Sequence, residues 1–285
     1  MRRWRRLLVT LDSGYLVQCQ GLGYFQTRLM FFPPGQLRHT PAEWATAYEM
    51  AYEDVWLSVP DGRIHGWWIP AAAADAPTVL FLHGNGSNIG DSAARSQLFY
   101  QWGYSTLLID YRGYGRSSGP FPHEQQIYED AEAAWQYVTR QRAVAPGRVM
   151  LFGHSLGGAI AFYLASEHPE VAGVIAEGSF TNMRAMMQRK LRVVLPPLNW
   201  LLTQEFGSLM RVRSLSVPVL LIHGTADNVV PAAMSQRLYN ALPTSPHTGR
   251  KQLLWIEGGG HSNLPAAGGN RYAQTVQTFV ERYAR

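Results

Sequence analysis

Gly153-His-Ser155-Leu-Gly157 sets a serine between two glycines, directly after the apolar run Val149–Phe152. The run reads as a buried strand and the residues after the serine as a helix. A serine at so sharp an apex sits on strained backbone, and glycines beside it let strand and helix approach closely. The turn lifts the hydroxyl above the sheet edge and aims the first helical N–H groups at the same point. The chemistry offered is nucleophilic attack on a carbonyl carbon. A serine hydroxyl manages that only with a base in hydrogen-bond reach, and the base needs a carboxylate to orient it.

Two later loops carry those groups. The run Val217–Ile222 leads into His223-Gly-Thr-Ala-Asp227, and Gln252–Ile256 leads into a glycine-rich loop ending at His261. Ser155, Asp227 and His261 are therefore the candidate nucleophile, acid and base. Glu177, at the end of the Val171–Ala176 run, is the alternative acid, whereas Asp110 after Ser105–Ile109 reads as structural. A tetrahedral intermediate also needs oxyanion donors. The backbone N–H of Leu156 and that of Asn85, in Leu82-His-Gly-Asn85-Gly-Ser-Asn88, are the candidates. His83, His154 and His223 sit at strand ends before a glycine or the serine and read as structural. The remaining histidines lack ligand spacing, and Cys19 is the only cysteine, so neither a metal nor a cofactor is expected.

These groups need a scaffold that carries loops to one edge. The apolar runs Thr78–Leu82, Ser105–Ile109, Val149–Phe152, Val171–Ala176, Val217–Ile222 and Gln252–Ile256 read as strands buried on both faces. Helical patterns alternate with them over 92–101, 125–140, 155–166, 232–241 and 271–285. Val55–Val59 and Ile64–Ile69, joined by Asp61-Gly62, read as a hairpin. The alternation predicts an α/β fold, a mostly parallel central sheet with helices on both faces. Residues 184–211 depart from it: methionines and leucines broken by Pro196-Pro197 predict a small helical cap with an adaptable apolar wall.

With 285 residues, 46% hydrophobic and 16% charged, the chain can bury a large core. Four of its +5 net charges come from Arg2, Arg3, Arg5 and Arg6, which leaves too little excess for a nucleic-acid surface. The apolar residues that follow are interrupted by Asp12, Ser13, Gln18 and Gln20. Three readings stay open for residues 1–34: an interfacial amphipathic helix, an altered membrane anchor, or a helix packed on the domain over 35–285. Location is accordingly membrane-associated or cytoplasmic.

Phe81-Leu-His-Gly-Asn-Gly-Ser-Asn88, Asp110-Tyr-Arg-Gly-Tyr-Gly-Arg-Ser-Ser-Gly119, Gly153-His-Ser-Leu-Gly-Gly158, His223-Gly-Thr-Ala-Asp227 and Gly260-His261 resemble the α/β-hydrolase fold of serine hydrolases. More narrowly the chain is similar to the membrane-anchored α/β-hydrolase-domain and serine aminopeptidase-like proteins. The chain order serine, acid, histidine agrees. The resemblance implies Ser155, Asp227 and His261 as the triad, Asn85 and Leu156 as oxyanion donors, and an anchor before residue 26. The expected partner is a small-molecule acyl ester or thioester, with contact to a membrane surface through the N-terminal segment. The alternatives are a peptidase (Glu177 or Glu205 would then bind a free amine), an acyltransferase, or a non-catalytic scaffold on the same fold.

Overall fold

The computed structural model describes residues 26–45, 50–190, 203–244 and 250–285. Eight strands form one sheet: β1 (Glu53–Val59), β2 (Gly62–Ile69), β3 (Thr78–Leu82), β4 (Ser105–Ile109), β5 (Val149–His154), β6 (Gly173–Glu177), β7 (Val219–Gly224) and β8 (Lys251–Ile256). Their spatial order is β1-β2-β4-β3-β5-β6-β7-β8. β1 and β2 pair antiparallel across a two-residue turn at Pro60-Asp61, one residue earlier than the expected Asp61-Gly62, because Gly62 already pairs with Val59 in the ladder; β2 pairs antiparallel with β4. Every other ladder is parallel. The fully buried strands β3, β4 and β6 are the expected consequence of cover on both faces.

The pleat sorts side chains to two cores. Leu80, Leu82, Leu107, Ile109 and Leu151 face one way. They meet α2 (Glu124–Gln136), α3 (Leu156–Glu167) and α6 (Ala232–Ala241) through Ile127, Ala131, Ile160 and Leu238. Val79, Phe81, Leu108, Met150 and Phe152 face the other way, against α1 (Ala93–Gln101) and α7 (Leu264–Tyr283) through Phe99, Tyr272, Val276 and Phe279. A buried Arg112 ties the loop after β4 to α2, its Nε donating to Asp130 Oδ1 at 2.7 Å and its backbone N–H to Asp130 Oδ2 at 2.7 Å.

Three features depart from, or extend, the sequence expectations. The last helix starts at Leu264 rather than Arg271, because Leu264 is buried and Ala267 N–H closes the first turn on Asn263 O at 2.9 Å. A bend at Gly269, φ +48°, accommodates the glycine pair. Residues 26–30 are helical and lead into a strap that runs over the domain. Its Phe31 packs edge-on against Phe206, ring centroids 6.0 Å apart. Of the expected cap, α4 (Met183–Lys190) and the short α5 (Ser208–Arg211) are described, whereas Pro196-Pro197 lies outside the described residues. The N-terminal segment before residue 26 lies outside them too. Among the described residues no helix is long and apolar enough to cross a membrane.

Candidate active site

The end of β5 and the start of α3 hold Ser155 at φ 55°, ψ −111°, a left-handed conformation that a side-chain-bearing residue adopts only under constraint. The constraint is local. A Cβ on Gly157 would collide with the Leu82 carbonyl, and one on Gly153 with the backbone of Gly157 and Gly158. The glycines thus let α3 start directly beneath the ends of β3 and β5. Ser155 N–H donates to Glu177 O at 2.8 Å, which pins the apex to β6.

Asp227 and His261 come from the loops after β7 and β8. His261 Nδ1 lies 2.7 Å from Asp227 Oδ2. Facing a carboxylate, Nδ1 carries the proton, which leaves the Nε2 lone pair as the basic site. Asp227 Oδ1 accepts from the backbone N–H groups of Val229 and Val230, both at 2.8 Å. Burial acts to raise its pKa, but hydrogen bonds from His223, His261 and Val230 N–H prevail and hold the carboxyl well below the usual carboxylate range. Gly178, φ +53°, passes beside the pair, where a Cβ would come 3.1 Å from His261 Nδ1.

Ser155 and His261 line one cavity of about 570 Å³, without a hydrogen bond between their side chains among the described residues. Such contacts tighten when substrate binds. The cavity is also lined by Gly84, Asn85, Gly86 and Leu156. The backbone N–H groups of Asn85 and Leu156 donate to no other group among the described residues, and so can serve a ligand oxygen. Nothing among the described residues groups three or more His, Cys, Asp or Glu side chains for a metal ion.

The neighbouring histidines support this geometry. His154 Nε2 donates to the His261 carbonyl at 3.0 Å, and burial, aided by Arg95, lowers its pKa to about 3, so it is neutral. His83 is buried, lowered to about 4 by that burial, and its Nδ1 donates to Gly84 O at 2.8 Å. His223 does more than its sequence position suggests. Its Nε2 lies 3.0 Å from Val230 O and 3.3 Å from Asp227 Oδ2, so that nitrogen carries the proton, and Nδ1 takes the Ser235 hydroxyl at 2.7 Å. Asp227 therefore has a second imidazole donor, which the i,i+4 spacing of His223 and Asp227 only hinted at.

The alternative acid is engaged elsewhere. Glu177 is fully buried, paired with Arg95 at 2.6 Å and hydrogen-bonded by the Tyr272 hydroxyl. Neither Glu177 nor Glu205 lines the cavity. The rest of its lining is mostly apolar, with Phe180, Met183, Met186 and Met187 as one set and Leu29, Met30 and Phe32 as another, beside Val229 and the polar Ser87, Asn228 and Ser262. The methionines of the first set, though not Phe180, were visible in sequence as part of the cap. The second was not, because only long-range contacts bring residues 29–32 there.

The sheet order, with a serine elbow after β5 and acid and histidine loops after β7 and β8, defines an α/β-hydrolase. The model of the serine aminopeptidase, S33, family matches residues 73–211 and 208–265, and the chain belongs to that family. An uncharacterized protein of Mycobacterium tuberculosis is 33% identical over 264 residues, covering 91% of this chain and 88% of that protein. The alpha/beta hydrolase domain-containing protein WAV2 of Arabidopsis thaliana is 30% identical over 284 residues, covering 91% and 89%. Among solved structures, the esterase Pf2001 of Pyrococcus furiosus is similar with a TM-score of 0.70 at 20% identity, over 90% of this chain and 98% of that one. At that identity the likeness is one of fold.

Proposed function

We propose that the protein is a serine hydrolase that cleaves carboxylic ester or thioester bonds through an acyl-enzyme. The carrying observation is the 2.7 Å Asp227–His261 contact on the same cavity as an elbow-held Ser155. In this reading His261 Nε2 takes the Ser155 proton as Oγ bonds to the acyl carbon. The oxyanion is held by the N–H groups of Asn85 and Leu156. Collapse breaks the bond to the leaving oxygen or sulfur, which receives the proton from His261. Water then gives a proton to His261 and attacks the acyl carbon. The acyl–Oγ bond breaks, the proton returns to Ser155, and a carboxylic acid leaves. Asp227 keeps the imidazole in the tautomer both steps need.

An apolar lining favours an acyl chain over an amino-terminal peptide. Among the described residues the lining carries no carboxylate to meet a free ammonium group, and residues 191–202 of the cap contain none. An acyltransferase would use the same first half-reaction with an alcohol in place of water. Arg2–Arg6 and the apolar residues after them support contact with a membrane surface. The division into an N-terminal segment over 1–34 and a hydrolase domain over 35–285, with a cap near 184–211, belongs to the same reading.

The test is fluorophosphonate labelling of the full chain beside Ser155→Ala, followed by p-nitrophenyl ester hydrolysis. Labelling lost in the variant, with ester turnover in the wild type, supports the reading. A folded wild type that neither labels nor turns over esters refutes it and moves the scaffold alternative forward.

A further inference from the structure

Residues 26–36 reach the domain as a strap, and the strap does more than connect. Met30 and Phe31 are buried in the core, whereas Leu29 and Phe32 remain 46% and 50% exposed. Leu29, Met30 and Phe32 all line the cavity beside Ser155. Of the five large apolar side chains left exposed among the described residues, three (Leu29, Phe32 and Val229) border this cavity. Scattered exposed apolar residues are ordinary, but their concentration at the mouth of a cavity marks a surface that an apolar ligand would cover.

The strap is fixed by polar contacts along its length. Asn85 Nδ2 donates to the Met30 carbonyl at 2.6 Å. Asn85 Oδ1 accepts from Phe32 N–H at 3.4 Å and from the Tyr114 hydroxyl at 2.9 Å. Upstream, Thr203 gives both its backbone N–H and its hydroxyl to Gln26 Oε1, at 3.0 and 3.2 Å, which links the strap to the end of the cap. Downstream, Asn88 Nδ2 donates to Pro34 O and Gln36 O at 3.3 and 2.7 Å, and Gly115 N–H to Pro34 O at 2.9 Å. Three flexible apolar side chains of α4 (Met183, Met186 and Met187) border the same cavity. Asn85 thus has two faces: a free backbone N–H beside Ser155, and a side chain that brackets the strap.

We propose that Leu29, Met30 and Phe32 form the acyl-side wall of the site and set its chain-length selectivity, with Asn85 as the positioning residue that holds this wall against the loop after β3. The proposal rests on the serine-hydrolase reading and adds the element that chooses among substrates. An acyl chain lying against the strap and α4 would leave water methylene by methylene, each worth about fourfold in binding when fully buried. That binding appears in kcat/KM when the chain stays buried in the transition state. An acetyl group is too short to profit, so the ratio of octanoate to acetate kcat/KM reads the wall directly.

The experiment measures kcat and KM for p-nitrophenyl acetate, butyrate and octanoate with the full chain and four variants. Leu29→Ala combined with Phe32→Ala lowers the octanoate-to-acetate ratio about tenfold. Leu29→Asn keeps the side chain's length and branching but removes its apolar character, and lowers the ratio without opening a gap. Asn85→Ala retains the backbone N–H and releases the strap; it lowers the same ratio, mainly by raising KM for octanoate. Met210→Ala, at an exposed residue outside the cavity, leaves the ratio unchanged. A ratio within twofold of wild type in the double variant, in folded protein still labelled by fluorophosphonate at Ser155, overturns the wall while leaving the hydrolase reading intact. A wild type that does not label at Ser155 overturns both.

Discussion

Asp227→Asn is the perturbation whose consequence the hydrogen-bond network dictates most tightly. Two backbone N–H groups, of Val229 and Val230, converge on Asp227 Oδ1 at 2.8 Å. Only oxygen is tolerated there, so an amide must place its NH2 where Oδ2 now sits. That group would then face His261 Nδ1 at 2.7 Å and His223 Nε2 at 3.3 Å. His261 can respond by moving its proton to Nε2, which turns an N–H toward Ser155 and removes the base. His223 cannot follow, because its Nε2 also donates to Val230 O and its Nδ1 takes the Ser235 hydroxyl. One donor–donor opposition therefore persists, at about 1–3 kcal/mol of stability. The wrong tautomer lowers kcat by about 10⁴, or about 5.5 kcal/mol of barrier. KM stays close to wild type, because Asp227 does not line the cavity. Steady-state kinetics on p-nitrophenyl butyrate and a thermal melt of the same preparation separate the two effects. A folded Asp227→Asn protein retaining more than about a tenth of wild-type kcat would refute the reasoning. Glu177→Gln serves as the counterpart: breaking its buried pair with Arg95 destabilises by about 3–5 kcal/mol, yet the folded fraction keeps its turnover.

Ser155→Gly removes labelling and turnover but raises the melting temperature by about 2–4 °C, since glycine relieves about 1 kcal/mol of the strain at φ 55°; an unchanged melt would mean that the elbow stores no strain. Gly157→Ala drives a methyl group into the Leu82 carbonyl, a backbone group that cannot swing aside, and lowers stability in urea unfolding by about 3 kcal/mol or more. Burial raises the Asp110 carboxyl to about 7, against hydrogen bonds from the Ile89 and Arg116 N–H groups, while the unfolded chain ionises near about 3.9. The folded protein therefore holds a proton that the unfolded chain has released, and stability falls as pH rises from about 4 to about 7, then levels. Asp110→Asn flattens that slope in denaturant titrations across the window, leaving the smaller share due to Asp130, which burial raises to about 6.

The parts of the site legible in sequence are those where local backbone demands one residue type. Glycine at 153 and 157 answers a strand and a helix in contact, and the loops after β7 and β8 deliver Asp227 and His261 wherever parallel strands end at one edge. The illegible parts depend on partners far along the chain. Glu177 ends β6 level with His154, so its position as an acid was reasonable. Its carboxylate is nevertheless taken by Arg95 of α1 and Tyr272 of α7, a pairing no periodicity encodes. The start of α7 is hidden in the sequence for a similar reason. Pro265, Gly268 and Gly269 read as loop, but burial of Leu264 outweighs their low helix propensity. The strap is the furthest case: nothing in Leu29-Met-Phe-Phe32 announces a cavity wall until Asn85, more than fifty residues on, brackets it. Chemistry in this fold is written in short motifs, and selectivity in the long-range contacts that bring a strap and a methionine-bearing helix to the same serine. Two relatives could therefore share every motif and differ in what they cleave, and the strap is the place to look for the difference.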